Sequence, residues 1–350
     1  MLIRQVLGRS TQHSTICELS ESLCTELAEI GTSEFYALAH ACGPTAPEVI
    51  TSTDLPPGLR SDVLILHLDR QYDGFSDLLA NRRERVVAVF HNMFIENKAN
   101  KGLDDVLMRL KNVKPEKLCL VVFTLDQADY LLSVGFRDVR IAARGSDPGR
   151  LLQQEFNAAF AEDVKSLFPD GFLLMVADFT PENRIELAIQ TMHLIRTVHR
   201  LNVGIVVLSG RQDDDYRRSI DEYSSRFPEV NTLFLGPVSE SGIATLFRTA
   251  LAYLGTSNCD MSAHRQLQAM AFGCPVVTLE RESNRDLLRT AAIVLPADAG
   301  PMMFSEALDR LVRDDTLRGR LRDRGRFLAQ RLSTAESTSS VSSIIRDFVS

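Results

Sequence analysis

Short apolar runs rich in β-branched residues recur along this chain, and stretches with helical spacing separate them. SDVLILHL (61–68), RVVAVFH (85–91) and KLCLVVFT (117–124) are each bounded by polar residues, the pattern of parallel strands buried on both faces. DQADYLLSVGF (126–136) follows as an amphipathic helix stopped by Gly135, and VRIAARG (139–145) reads as the next strand. A polar helical stretch, SDPGRLLQQEFNAAFAEDV, then links two halves, and the rhythm returns. Strands are expected at 172–179, 203–210, 230–238, in LAYLGTS, and at 275–280 and 291–298. Helices are expected at 181–201, 215–227 and 239–250, with Pro181 in the first turn of the longest, where a missing N–H costs little.

This alternation specifies an α/β protein built from two doubly wound, Rossmann-like domains. At 350 residues the chain suits two cores better than one. The expected division is 1–150, 151–332 and a tail at 333–350 that can pack back on the first domain as a helix. Parallel sheets bind ligands at the carboxyl ends of their strands, beside helix N-termini. The loops after residues 91, 124, 178, 210, 236 and 257 are therefore the places to search.

A net charge of −7 argues against a general nucleic-acid binder, whose affinity comes from neutralising phosphates. The six cysteines lie without CxxC spacing and read as reduced thiols, and the seven histidines form no HExxH pair. No metal site and no cofactor are expected. No G-x-G-x-x-G follows an expected strand, which disfavours a dinucleotide-dependent oxidoreductase. The start carries no charged-then-apolar leader, and no apolar run has spanning length. A cytoplasmic protein is expected, with peripheral membrane or complex association left open.

The helix after LAYLGTS begins with Ser262, His264 and Arg265, just beyond Asp260. Cations at a helix start face the positive end of its dipole, a local cost unless an anion sits there. One reading is a phosphate site on free backbone N–H groups, with Arg265 adding charge and Asp260 and Gln268 addressing one cavity. The other is a solvated edge, with Gln268 facing water and Arg265 snorkelling. Gly210 and Arg211 end another strand, where glycine permits close approach and arginine can pair with phosphate. In ADFTPENR (177–184), Asp178 and Glu182 do not suit a phosphate, though Asn183 and Arg184 can reach one. His91, followed by Asn92, ends a strand where it either meets a polyol or a proton in transfer, or sits in the core bonded to backbone.

DMSAHRQLQAMAFGCPVV (260–277) is similar to the motif E-G-F-G-x-x-x-x-E-A-M-A-x-G-x-P-V-V. NTLFLGPVSESGIATLFRTALAYLGTS (231–257) and NRDLLRTAAIVLPAD (284–298) flank it in the order found with that motif, and AVFHNM (88–93) and GFRDVRIA (135–142) have looser counterparts. In these stretches the chain resembles the family-4 glycosyltransferases of the GT-B fold, two Rossmann-like domains facing across a cleft. The resemblance implies that Asp260 contacts the donor sugar. It implies that backbone amides of Met261, Ser262 and Ala263 meet the donor diphosphate. Gln268 falls where a glutamate grips the donor ribose, and His91 where a residue of the first domain approaches the transferred sugar. It further implies a retaining, metal-independent reaction. The sequence departs from the family at G-R-x(4)-K, where Asp178 replaces the arginine and Asn183 the lysine, and at the glutamate pair, now Asp260 and Gln268. Arg184, Arg211 and Arg265 are the candidates to compensate.

The resemblance implies a hexosyl-type glycosyltransferase that takes a nucleoside-diphosphate sugar and passes the sugar to a hydroxyl of a carbohydrate, lipid-linked or protein acceptor. The replaced phosphate-binding residues leave a second reading: a catalytically inactive relative, acting as a glycan-binding or scaffold subunit of a glycosylation complex.

Overall fold

A computed structural model of the chain describes residues 1–7, 20, 23–38, 48–50, 55, 58–68, 75–79, 82–91, 102–123, 125–142, 149–210, 214–258, 262–281, 284–335 and 340–350. The chain divides into two compact units, one of Met1–Arg144 with Glu336–Ser350 and one of Gly145–Ala335.

The described residues of the first unit form a seven-stranded parallel sheet: β1 Leu2–Leu7, β2 Thr32–Leu38, β3 Glu48–Ile50, β4 Val63–Leu68, β5 Arg85–Phe90, β6 Leu118–Val122 and β7 Val139–Ile141. Their order is β3-β2-β1-β4-β5-β6-β7, so the chain reverses its direction of build between β1 and β4. Alternation along β4 feeds two cores. Leu64, Leu66 and Leu68 pack with Val106 and Leu110 of the helix Leu103–Lys111. Val63 and Ile65 pack on the opposite face with Val341, Ile344 and Ile345 of the helix Val341–Val349. That last helix starts at Ser340, whose side chain accepts from the Ser343 N–H at 3.1 Å, satisfying one of its orphan donors. Arg85 Nη1 donates to the Val349 carbonyl at 2.5 Å, and Arg140 pairs with Asp347 at 2.5 Å, so the end of the chain is fixed to β5 and β7.

The second unit repeats the plan with β8 Phe172–Val176, β9 Gly204–Leu208, β10 Thr232–Leu235, β11 Ala252–Gly255, β12 Val276–Leu279 and β13 Ile293–Leu295. The order β10-β9-β8-β11-β12-β13 puts its reversal between β8 and β11. One face carries Leu173, Met175, Ile205 and Val207 against Ile189 and Met192 of the helix Ile185–Thr197 and Phe304 and Leu308 of the helix Pro301–Arg313. The other carries Leu174 and Val206 against Phe247, Leu267 and Met270. Gly204 is required where β9 starts, because a Cβ there would meet the Phe168 ring at 2.0 Å.

The helix expected at 181–201 is shorter and broken. Pro181–Asn183 form one 3₁₀ turn, Arg184 takes a left-handed conformation (φ 51°, ψ 50°), and the α-helix begins only at Ile185. The Asn183 side chain accounts for the break. Its amide donates to the Asp178 carbonyl at 2.8 Å, a loop-closing bond that competes with helical continuation toward Thr180.

Candidate functional site

Ligands of doubly wound sheets lie outside the carboxyl ends of the strands where the order reverses. In the second unit that point falls between β8 and β11, and the loops leaving the two strands are bonded to each other. Thr256 Oγ1 donates to the Asn183 carbonyl at 2.7 Å, and the Asn258 N–H donates to the Glu182 carbonyl at 2.7 Å. The helices that these loops enter, Ile185–Thr197 and Ser262–Ala271, therefore start from one anchored platform. Phe179 supports it from below. Its ring is fully buried, edge-on to Phe234 at 5.4 Å, and the Arg217 guanidinium lies over both rings at 4.4 and 4.5 Å.

Cationic side chains gather on this platform. Arg184 Nη1 reaches Asn258 Oδ1 at 3.5 Å. Arg281, just beyond β12, donates from Nη2 to the same oxygen at 2.8 Å and from Nε and Nη2 to the Ser257 carbonyl at 3.1 Å. Its own N–H is held by Asn284 Oδ1 at 2.8 Å. A left-handed arginine costs on the order of 1–2 kcal/mol of backbone strain, and such strain collects at functional sites. The sequence reading missed Arg281, because an arginine after a strand is unremarkable until the register sets β12 beside β11.

Arg265 and Gln268 are both buried, at 9% and 4% exposure, which removes the solvated-edge reading. Arg265 Nη1 donates to Gln268 Oε1 at 2.7 Å, a pair three residues apart on one helix face. The guanidinium also stands near the Tyr253 phenol, whose pKa burial pushes up. Behind them Gln266 Nε2 donates to Thr278 Oγ1 at 2.6 Å, against Gly255, where a Cβ would meet Thr278 Oγ1 at 2.7 Å. Ser262 and Ala263 open the helix Ser262–Ala271, although their side chains lie outside the described residues, as do Asp260, Met261 and Arg211 altogether. Gly210 is half-buried beyond β9.

In the first unit His91 follows β5, 3% exposed, and its N–H donates to the Leu68 carbonyl at 2.8 Å. Its ring meets another histidine: Nε2 lies 3.0 Å from Nδ1 of the fully buried His67, and the ring packs near Phe123 at 5.7 Å. Asn92 lies outside the described residues.

Two Rossmann-like units of this topology define a GT-B protein, and solved structures with the same fold are glycosyltransferases. WaaG, a glycosyltransferase involved in lipopolysaccharide biosynthesis, is similar at 12% identity with a TM-score of 0.73, covering 100% of both chains. HepE of Anabaena, in complex with UDP and glucose, is similar at 12% identity and a TM-score of 0.75, covering 99% of both chains. A UDP-forming α,α-trehalose-phosphate synthase from Burkholderia xenovorans is similar at 14% identity and a TM-score of 0.71, covering 99% of this chain and 100% of its own. No curated protein sequence matches the chain. The family model described as glycosyl transferases group 1 matches residues 161–327, all within the second unit.

Proposed function

We propose that this chain transfers a sugar, with retention and without a metal ion, from a nucleoside-diphosphate sugar to a hydroxyl of a carbohydrate, lipid-linked or protein acceptor. The observation that carries the proposal is the bonded platform at the β8/β11 reversal, inside the stretch matched by the family model, with Arg184 and Arg281 both reaching Asn258. The start of the helix Ser262–Ala271 offers backbone donors to the diphosphate, and nearby guanidinium groups supply the charge that Asp178 and Asn183 cannot. As the acceptor oxygen forms its bond to the anomeric carbon, the diphosphate departs with the electron pair of the broken C–O bond, and the hydroxyl proton passes to the departing phosphate oxygen. Donors fixed around it stabilise that charge. The resemblance assigns Asp260 to the donor sugar and His91 to the transferred sugar. The similar HepE structure is a complex with UDP and glucose, which supports UDP as the first nucleotide to try.

The alternative, a non-catalytic glycan-binding or scaffold relative, draws on one specific observation. Asn183, at the place of a cation in the resembled family, is a loop staple whose amide bonds the Asp178 carbonyl and Thr180 Oγ1. A thermal-shift panel separates the readings. A bound ligand at a hundredfold excess over its Kd adds about 2.7 kcal/mol of stability. A raised midpoint with one of UDP, GDP, ADP or TDP, and release of that diphosphate from its sugar, is the expected result. Silence across all four with no donor hydrolysed supports the scaffold.

Two substitutions probe the donor side. Arg184→Gly is expected to stabilise the protein by about 1 kcal/mol through relief of the left-handed conformation, while weakening diphosphate binding. Denaturant titration and calorimetry on the same sample check the two opposite signs. Gln268→Glu restores a carboxylate beside Arg265. A hydrogen bond to a charged group contributes about 1.5–3 kcal/mol, so calorimetry is expected to read roughly tenfold tighter nucleotide binding. Unchanged affinity removes Gln268 from the ribose-facing role.

A further inference from the structure

Asn258 stands three residues beyond β11, and its neighbours hold both its backbone and its side chain. Its N–H donates to the Glu182 carbonyl at 2.7 Å. The carbonyl before it, on Ser257, accepts from Arg281 Nε and Nη2, both at 3.1 Å. Its side-chain Oδ1 accepts from Arg281 Nη2 at 2.8 Å and from Arg184 Nη1 at 3.5 Å. All of these residues belong to the second unit.

The orientation of the Asn258 amide follows from these partners. A guanidinium donates from five N–H groups and accepts nothing. With an arginine at each contact, only the amide oxygen can face them, and the NH2 group takes the other branch. Asn258 is exposed, and among the described residues its Nδ2 has no bond partner. Arg184 matches it: the contact with Asn258 is its only side-chain bond among the described residues, and no carboxylate there pairs with it. Arg281 differs, because it commits Nε, Nη1 and Nη2 to the carbonyls of Ser257 and Glu280 and to Asn258.

A loop staple alone does not call for an amide here. An aspartate would accept from both arginines more strongly, as a charged acceptor does. Asparagine differs from it by an NH2 donor and by the missing negative charge, and both differences suit an anion lying beyond the amide. We propose that Asn258 is a ligand-binding residue, its amide fixed by Arg281 so that Nδ2 donates to a non-bridging oxygen of the diphosphate beside the Arg184 guanidinium. Arg281 is then a positioning residue that acts through Asn258. The identity of the ligand rests on the transferase reading of this site. An amide already fixed at its N–H and Oδ1 has little freedom left to lose on binding.

Asn258→Asp keeps the oxygen that both arginines use, removes the NH2 donor and sets a charge against the ligand. The full chain and this variant are titrated by calorimetry with UDP, inorganic pyrophosphate and uridine, at 0.1 M and 0.5 M salt. Expected are an unchanged or raised thermal midpoint, unchanged uridine affinity, and UDP and pyrophosphate bound about tenfold more weakly or worse at both salt concentrations. The screening length is about 10 Å at 0.1 M salt and roughly half that at 0.5 M, so repulsion across a gap fades while a lost contact does not. Arg281→Lys keeps the charge but cannot hold Ser257 and Asn258 together. It is expected to weaken UDP binding in the wild-type background and to add nothing in the Asn258→Asp background. Additive losses overturn the positioning role. Equal UDP affinity in Asn258→Asp, or a loss that disappears at 0.5 M salt, overturns the proposal and leaves the transferase reading standing. A wild-type chain that binds pyrophosphate through Asn258 but none of UDP, GDP, ADP or TDP upholds the proposal and counts against the transferase reading. A wild-type chain that binds none of these phosphates overturns both.

Discussion

Replacing Phe179 with alanine is expected to cost about 3–5 kcal/mol, the range for truncating a fully buried phenylalanine. The side chain has no exposed surface and lies one residue after Asp178, so it anchors the strand-to-helix loop as well as filling the core. Its removal takes one wall from the Arg217 guanidinium, which would keep only Phe234 beneath it and its bonds to Asp221 at 2.9 and 3.0 Å. The loop from Asp178 to Arg184 would then lean more heavily on its bonds to Thr256 and Asn258. Denaturant titration measures the loss of stability, and nucleotide affinity should fall with it. A loss below about 1 kcal/mol would mean that the neighbouring core collapses into the space, as sites of small residual cavity do.

The first unit is expected to lose stability as the pH falls below about 6.5, the ordinary histidine value. Desolvation of His67 lowers its pKa to about 3 in the folded chain. Between those two values the unfolded chain binds a proton that the folded chain refuses. Stability is therefore fully present above the unfolded value and declines as the pH drops toward the folded one. The limiting slope is about 1.4 kcal/mol per pH unit, and the accumulated loss on the order of 3 kcal/mol by pH 4. Hydrogen exchange of β4 and β5 amides in the full chain, at pH 7 and pH 5, measures it. Because other groups also titrate, the decisive quantity is the part of the slope that His67→Gln abolishes. An identical slope in that variant would mean that His67 accepts a proton in the folded state.

The alternation of apolar runs with helical stretches was enough to read the two sheets from β4 onward, and the runs at 61–68, 85–91 and 117–124 contain β4, β5 and β6. The first three strands were not legible. β1 carries Arg4 and Gln5 inside LIRQVL, and β2 reads TSEFYAL, so neither presents a continuous apolar run. Gln5 is polar because it bonds a histidine 62 positions away, a partner that no local window contains. The left-handed turn at Arg184 was hidden for a similar reason: Pro181 signals a helix start, and the Asn183 bonds back to Asp178 and Thr180 interrupt it. The pairing of Arg265 with Gln268 was implicit in their spacing on one helix, but its inward direction depended on which face met β11 and β12. Arg281 acquired its place only through strand order.

Hydrogen exchange of the full chain with and without a saturating nucleoside diphosphate tests the central claim most directly. The account predicts that protection concentrates at the amides of 182–185 and 256–258 and in the first turns of the helix Ser262–Ala271. A nucleotide that binds tightly yet leaves those amides unchanged, or protects a different edge of the second sheet, would contradict it.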